Sequence, residues 1–131
     1  MATVNLINEK KQVMDGNDNI VIVNYFDGIR GGRTLDVTGF KPDVIHAGHV
    51  IVKLSSGEFA PMPLAESGNA YAALPGGASY AGYLVASIST KQPFAAIMVR
   101  GTINPAASPF PLTDIMSALK EALPLIDYQE D

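Results

Sequence analysis

Two histidines and an aspartate are the residues of this chain whose spacing could form a reactive centre. Asp43, His46 and His49 lie close together in the sequence. Histidines three positions apart share a face of a helix, but Pro42 and Gly48 disfavour a helix here, and in a strand the two side chains would point to opposite faces. Zinc needs at least three protein ligands, and the chain has two histidines and no cysteine. We therefore interpret His46 and His49 as surface or subunit-contact residues and expect no metal site.

The other familiar catalytic patterns are missing from the sequence. No serine stands in a Gly-x-Ser-x-Gly motif, which positions the nucleophile of many hydrolases. The glycine-rich segment Gly28–Gly32 has no Lys-Ser or Lys-Thr after it, so it is not a phosphate-binding loop. We expect a protein that is not an enzyme and needs no cofactor.

Three tyrosines offer a binding chemistry instead. Tyr71, Tyr80 and Tyr83 surround a predicted loop, and exposed aromatic rings can stack on sugars. Coplanar exposed rings would indicate a carbohydrate- or ligand-binding β-barrel module for adhesion to host surfaces. Ordinary packing beneath the loop is the other interpretation of the same residues.

The composition limits the classes of partner. Hydrophobic residues make up 47% of the 131 residues and charged residues 17%, against a usual charged share of about 25%, so we expect self-association to cover apolar surface. The net charge is −4 and the nine Lys and Arg are scattered, which disfavours nucleic-acid binding. No apolar run is long enough to span a membrane, and no signal-peptide pattern stands at the N-terminus. We expect synthesis in the cytoplasm of a host bacterium.

Twelve Gly and nine Pro are spread through the chain, which is typical of short strands joined by turns. We predict a mainly β fold, a small β-barrel-like domain over residues 19–131, with a long loop at 61–81. The predicted strands lie at 20–23, 33–37, 50–54, 58–60, 82–88 and 95–101. The turn at Ser55–Gly57 predicts a hairpin between the third and fourth of these strands.

One short C-terminal helix is predicted at residues 113–123. The apolar residues Leu112, Ile115, Met116, Leu119 and Leu123 fall on one helical face. Thr113 would be the N-cap, and Pro124 would end the helix. A helix of this length is marginal alone and must pack on the sheet or on another subunit.

Residues 1–18 predict a flexible N-terminal arm. The segment is polar and weakly patterned, and Asp15–Asp18 breaks any continuing pattern. Too few apolar side chains are present to offset the entropy of ordering the segment alone, about 1–2 kcal/mol per residue. Val4, Leu6 and Ile7 are the side chains we expect to bind a partner.

Several segments together resemble a known family. They are Gly31–Phe40, Ile45–Ile51, Gly57–Leu64, Tyr71–Pro75, Tyr83–Ile88 and Ala96–Pro105. In this order they are similar to the head fiber proteins of tailed phages and prophages and, more loosely, to the small capsid decoration proteins of lambda-like phages. The resemblance covers about residues 25–128, although the chain is too short for an extended shaft.

The resemblance implies a virion protein on the outer capsid surface. It implies a compact β-barrel-like domain that assembles as a homotrimer. It also implies that the N-terminal arm reaches the major capsid protein.

Overall fold

The computed structural model describes residues 17–130. Within them the chain is mainly β, and most of its strands are short, as the frequent Gly and Pro predict. The strands are β1 (Ile22–Gly28), β2 (Arg33–Thr34), β3 (Val44–Ile45), β4 (Val50–Lys53), β5 (Phe59–Pro61), β6 (Ser79–Leu84), β7 (Ile88–Ser89), β8 (Phe94–Ala95), β9 (Ile97–Ile103) and β10 (Ile126–Tyr128). The helices are α1 (Asp18–Val21) and α2 (Met116–Ala122), with a 3₁₀ turn at Pro105–Ala107.

A six-stranded sheet forms the centre of the molecule. Its path is β1-β9-β6-β4-β5, and β10 pairs in parallel with β9. All the other pairings in this sheet are antiparallel. Since β1 and β5 stand at opposite ends of the path, the sheet is open within the described residues, and the barrel-like part of the prediction is not confirmed.

The sheet separates two apolar cores because successive side chains of a strand point to opposite faces. On β4, Val50 and Val52 pack in one core and Ile51 in the other. Tyr83 and Leu84 divide in the same way on β6. The first core is covered by α2, and the second by the two-stranded sheets β2–β8 and β3–β7.

The hairpin prediction is confirmed. β4 and β5 pair antiparallel with Lys53 opposite Phe59, and the turn at Gly57 closes through a hydrogen bond from the Gly57 N–H to the carbonyl of Leu54. The segment at 61–81 contributes only the end of β5 and the start of β6 to the sheet. Most of the predicted loop is therefore present.

Four predicted strands are misplaced or shortened: the strand at 33–37 is limited to Arg33–Thr34, and the strand at 95–101 is divided between β8 and β9. Ile20 and Val21 belong to α1, and their N–H groups donate to the carbonyl of Asn17, so the strand begins at Ile22 and continues to Gly28. The strand predicted at 82–88 instead runs from Ser79 to Leu84. For the strands predicted at 20–23 and 82–88, the β-branched or apolar run predicts the strand, but long-range contacts decide where pairing begins.

The helix exists but is shorter than predicted. Its N-cap is Ile115 without a side-chain bond, so the prediction of Thr113 as the cap is wrong. A turn precedes it, in which the Ile115 N–H donates to Leu112. Leu119 is fully buried, and Leu123 ends the helix just before Pro124. The apolar face therefore packs on the sheet as predicted.

The predicted arm lies almost entirely outside the described residues, with only Asn17 and Asp18 inside them. Asp18 begins α1, and its carboxylate accepts hydrogen bonds from the backbone N–H and hydroxyl of Ser87 at 2.9 and 2.6 Å. Among residues 17–130, no helix is long and apolar enough to cross a membrane.

Candidate functional site

His49 and His46 are separated by the fold. His49 is 1% exposed, and its Nε2 lies 3.0 Å from the carbonyl oxygen of Met62, so the neutral ring donates a hydrogen bond there. His46 is exposed on the other side of the tight turn at Gly48. The interpretation of both residues as surface or contact histidines is therefore wrong for His49, which is a core residue.

Three aromatic rings enclose the His49 ring. The ring centroids of Phe40, Tyr71 and Phe110 lie 5.4, 5.1 and 5.6 Å from it, all with edge-to-face geometry. Burial among them lowers the pKa of His49 to about 4, although the hydrogen bond to Met62 opposes the shift. The ring therefore stays neutral near pH 7, and its contacts are those of a packing residue.

The described residues contain no group of three His, Asp or Glu side chains placed to hold a metal ion. The carboxylate of Asp36 accepts hydrogen bonds from the hydroxyl and backbone N–H of Thr38, which lower its pKa. This contact stabilises the start of the loop that follows β2.

The structure brings the three predicted tyrosines to one core, but as packing residues. Tyr83 is fully buried, and Tyr71 and Tyr80 pack against the same cluster. The Tyr83 hydroxyl is 2.7 Å from that of Tyr128, and the Tyr71 hydroxyl accepts from the Val50 N–H at 3.1 Å. Burial raises the pKa of both Tyr71 and Tyr83. The alternative interpretation, a stacking surface shared by the three tyrosines, does not fit these contacts, because the Tyr83 ring is closed to a ligand.

A β-bulge explains why Tyr80 and Tyr83 pack in the same core. Ile51 lies opposite Gly82, but Val52 lies opposite Tyr80, so Ala81 is an extra residue in β6. The extra residue reverses the alternation of faces, and side chains three positions apart then contact the same core.

A concave site lies beside β5 and is called here the loop cavity. It has a volume of about 430 Å³ and is lined by β4, β5 and the loops 36–42 and 63–68. Its wall is mainly apolar, with Phe40, Pro63 and Leu64 among the lining residues. Its charged lining residues are Asp36, Lys41 and Glu66, of which Lys41 and Glu66 are exposed.

The opposite end of the sheet exposes an aromatic pair, called here the aromatic edge. Tyr25 and Phe26 on β1 are 51% and 66% exposed. The guanidinium of Arg100 lies 6.0 Å from the Phe26 ring centroid. This geometry suits contact with another apolar surface and offers no reactive group.

Sequence reasoning missed both surfaces. The pair Tyr25-Phe26 stands between Asn24 and Asp27, and this aromatic dipeptide with polar neighbours was a usable signal. The loop cavity had no local signal, because its wall joins residues 36–42 to residues beyond 60. The proposed arm contacts Val4, Leu6 and Ile7 lie outside the described residues.

The chain was compared with protein-family models, curated proteins and solved structures, and none of them matched it.

Proposed function

We propose that the chain is a structural virion protein of a tailed phage or prophage, of the head fiber or decoration type. It assembles as a homotrimer on the outer capsid surface, with the major capsid protein as its partner, after synthesis in the cytoplasm of the bacterial host. The order of motifs from Gly31 to Pro105 supports this proposal. A barrel-like domain shape is part of it, supported by the small sheets that cover one face of the open sheet.

The observation that carries the proposal is the exposure of large apolar side chains on a domain with two well-filled cores. At least half of the surface of each is accessible, and removing large apolar side chains from water favours association. They are Ile20, Tyr25, Phe26, Phe94 and Leu125. Tyr25 and Phe26 are neighbours on β1, and they are the pair that a subunit contact would cover.

Capsid attachment is assigned to the arm. Val4, Leu6 and Ile7 lie within the 16 residues that precede the described domain. A short segment that orders on contact binds weakly by itself. Three arms on one trimer raise the apparent affinity by ~10²-fold or more where the sites on the capsid match.

Co-sedimentation with capsids of the encoding phage tests the proposal. The full chain should pellet with the capsids, and a chain lacking residues 1–14 should fold and stay in the supernatant. Replacing Val4, Leu6 and Ile7 together by Ser should have the same effect. Replacing Asn5, Asn8 and Glu9 by Ser is the matched control and should leave binding unchanged. Absence of the full chain from the pellet would refute capsid binding.

A carbohydrate- or ligand-binding module is the second candidate, and the loop cavity is the observation that favours it. A volume of about 430 Å³ falls within the roughly 300–1,000 Å³ of small-molecule sites. Phe40 is the aromatic residue in its wall. Glycan-array binding that is lost on Phe40→Ala, and kept on Phe94→Ala, would support this function over the first.

A further inference from the structure

The aromatic edge and the loop cavity lie at opposite ends of the central sheet. The aromatic edge is on β1, the first strand of the path, and the loop cavity borders β5, the last strand. One surface projects aromatic rings and the other is concave and mainly apolar. A pair of unlike surfaces is what a head-to-tail contact between identical subunits requires.

The projection of the aromatic edge has a structural cause. Tyr25 lies opposite Gly101 and Asp27 lies opposite Arg100, so Phe26 is an extra residue in β1. A bulge bends the strand and re-aims its side chains. Phe26 is therefore not part of the regular alternation, and most of its surface is accessible.

The same irregularity opposes direct strand addition. β1 has register shifts at three places along its pairing with β9, and bulges on an edge strand discourage pairing with another strand. A contact at this edge therefore depends on side chains. This argues against a symmetric β1–β1 dimer, in which two copies would share one continuous sheet.

We propose that the aromatic edge of one subunit inserts into the loop cavity of the next, and that this contact closes the trimer. The inference rests on the trimer of the proposed function and identifies its interface. A cavity of about 430 Å³ is in the roughly 300–1,000 Å³ range of small-molecule sites, and the 66% exposed Phe26 side chain is the group that would enter it. Buried aromatic anchors of this kind supply most of the binding energy at protein interfaces.

Charge agrees with this pairing. The aromatic edge carries Arg100 beside the Phe26 ring, and the exposed side of the cavity carries Glu66. Asp27 on the edge and Lys41 on the cavity give a second pair of opposite sign. Complementary charges at the rim set orientation and suppress wrong pairings.

The first experiment measures mass in solution by analytical ultracentrifugation of the full chain. The wild type should be a trimer of the 13.9 kDa chain. Phe26→Asp should weaken self-association by about 30-fold or more, and circular dichroism should show it folded because the site is exposed. Phe94→Asp is the matched control, since Phe94 is 60% exposed but belongs to neither surface, and it should remain trimeric.

The second experiment tests the pairing itself. Arg100→Glu and Glu66→Arg should each weaken the trimer, and the chain carrying both should recover it. Lys91→Glu with Glu121→Arg, both at exposed sites, is the control and should have no effect. Mixing Phe26→Asp with Glu66→Arg leaves one intact edge and one intact cavity. The mixture should therefore form heterodimers and not trimers.

The outcomes separate this inference from the proposed function. A trimeric Phe26→Asp variant, or a double charge variant that does not recover, overturns the interface and leaves the trimer standing. A monomeric or filamentous wild type overturns both the interface and the trimer. Loss of the trimer in the Phe94→Asp control would also overturn the proposed interface, because the subunit contact would then not be confined to the aromatic edge and the loop cavity.

Discussion

Acidification should destabilise the domain through His49. The ring is enclosed by Phe40, Tyr71 and Phe110, and its Nε2–H donates to the carbonyl of Met62. A proton added to this ring must be held without water around it. Burial therefore lowers the pKa from 6.5 to about 4 in the folded chain, whereas the unfolded chain keeps the ordinary value.

The direction and size of the effect follow from these two values. Above pH 6.5 the ring is neutral in both states and the stabilisation is complete. As the pH falls below 6.5, the unfolded chain takes up the proton first, and the loss continues until the folded chain also binds it near pH 4. The free energy of unfolding should fall by about 2 kcal/mol at pH 5 and about 3 kcal/mol at pH 4 from this residue.

Urea unfolding at fixed protein concentration between pH 8 and 4 measures the effect. Other groups also titrate, so the decisive quantity is the difference between the wild type and His49→Gln, which keeps a donor for Met62 but has no charge to gain. That difference should shrink as the pH falls. A difference that stays constant with pH would refute the buried neutral ring.

Three further predictions concern the packing of the domain. Leu119→Ala should lower the free energy of unfolding, measured by urea titration, by about 2–5 kcal/mol because Leu119 is fully buried. Leu125→Ala, at a 61% exposed site, is the control and should change that free energy by less than about 0.5 kcal/mol. Gly82→Ala should cost about 1–3 kcal/mol or more, because its Cβ would collide with the carbonyl oxygen of Met98; a melting temperature equal to wild type would contradict this contact. Tyr83→Phe should cost about 1 kcal/mol, because the Tyr128 hydroxyl loses its partner at 2.7 Å, and a double-mutant cycle with Tyr128→Phe should show coupling between the two.

Local patterns predicted the features that local contacts determine. The β4–β5 hairpin needs only a short apolar strand, a glycine turn and a second strand, and all three are adjacent in the sequence. The burial of Leu119 follows from the spacing of apolar residues along α2. The mainly β fold follows from the frequent turn residues.

The remaining features depend on contacts between distant segments. Asp18 bonds to Ser87 across the fold, and no pattern around residue 20 shows that a helical turn precedes β1. The packing of Tyr80 and Tyr83 in one core depends on the bulge at Ala81, which only the pairing of β6 with β4 reveals. For the same reason the enclosure of His49 was not predictable, since Phe40, Tyr71 and Phe110 come from three separate segments.

Virion composition tests the central proposal most directly. Particles of the encoding phage would be purified, separated into capsids and tails, and the protein copies in each fraction counted by quantitative mass spectrometry. The proposal predicts this chain in the capsid fraction, in a fixed ratio to the major capsid protein and in multiples of three at each attachment site. Its absence from purified capsids would contradict the proposal.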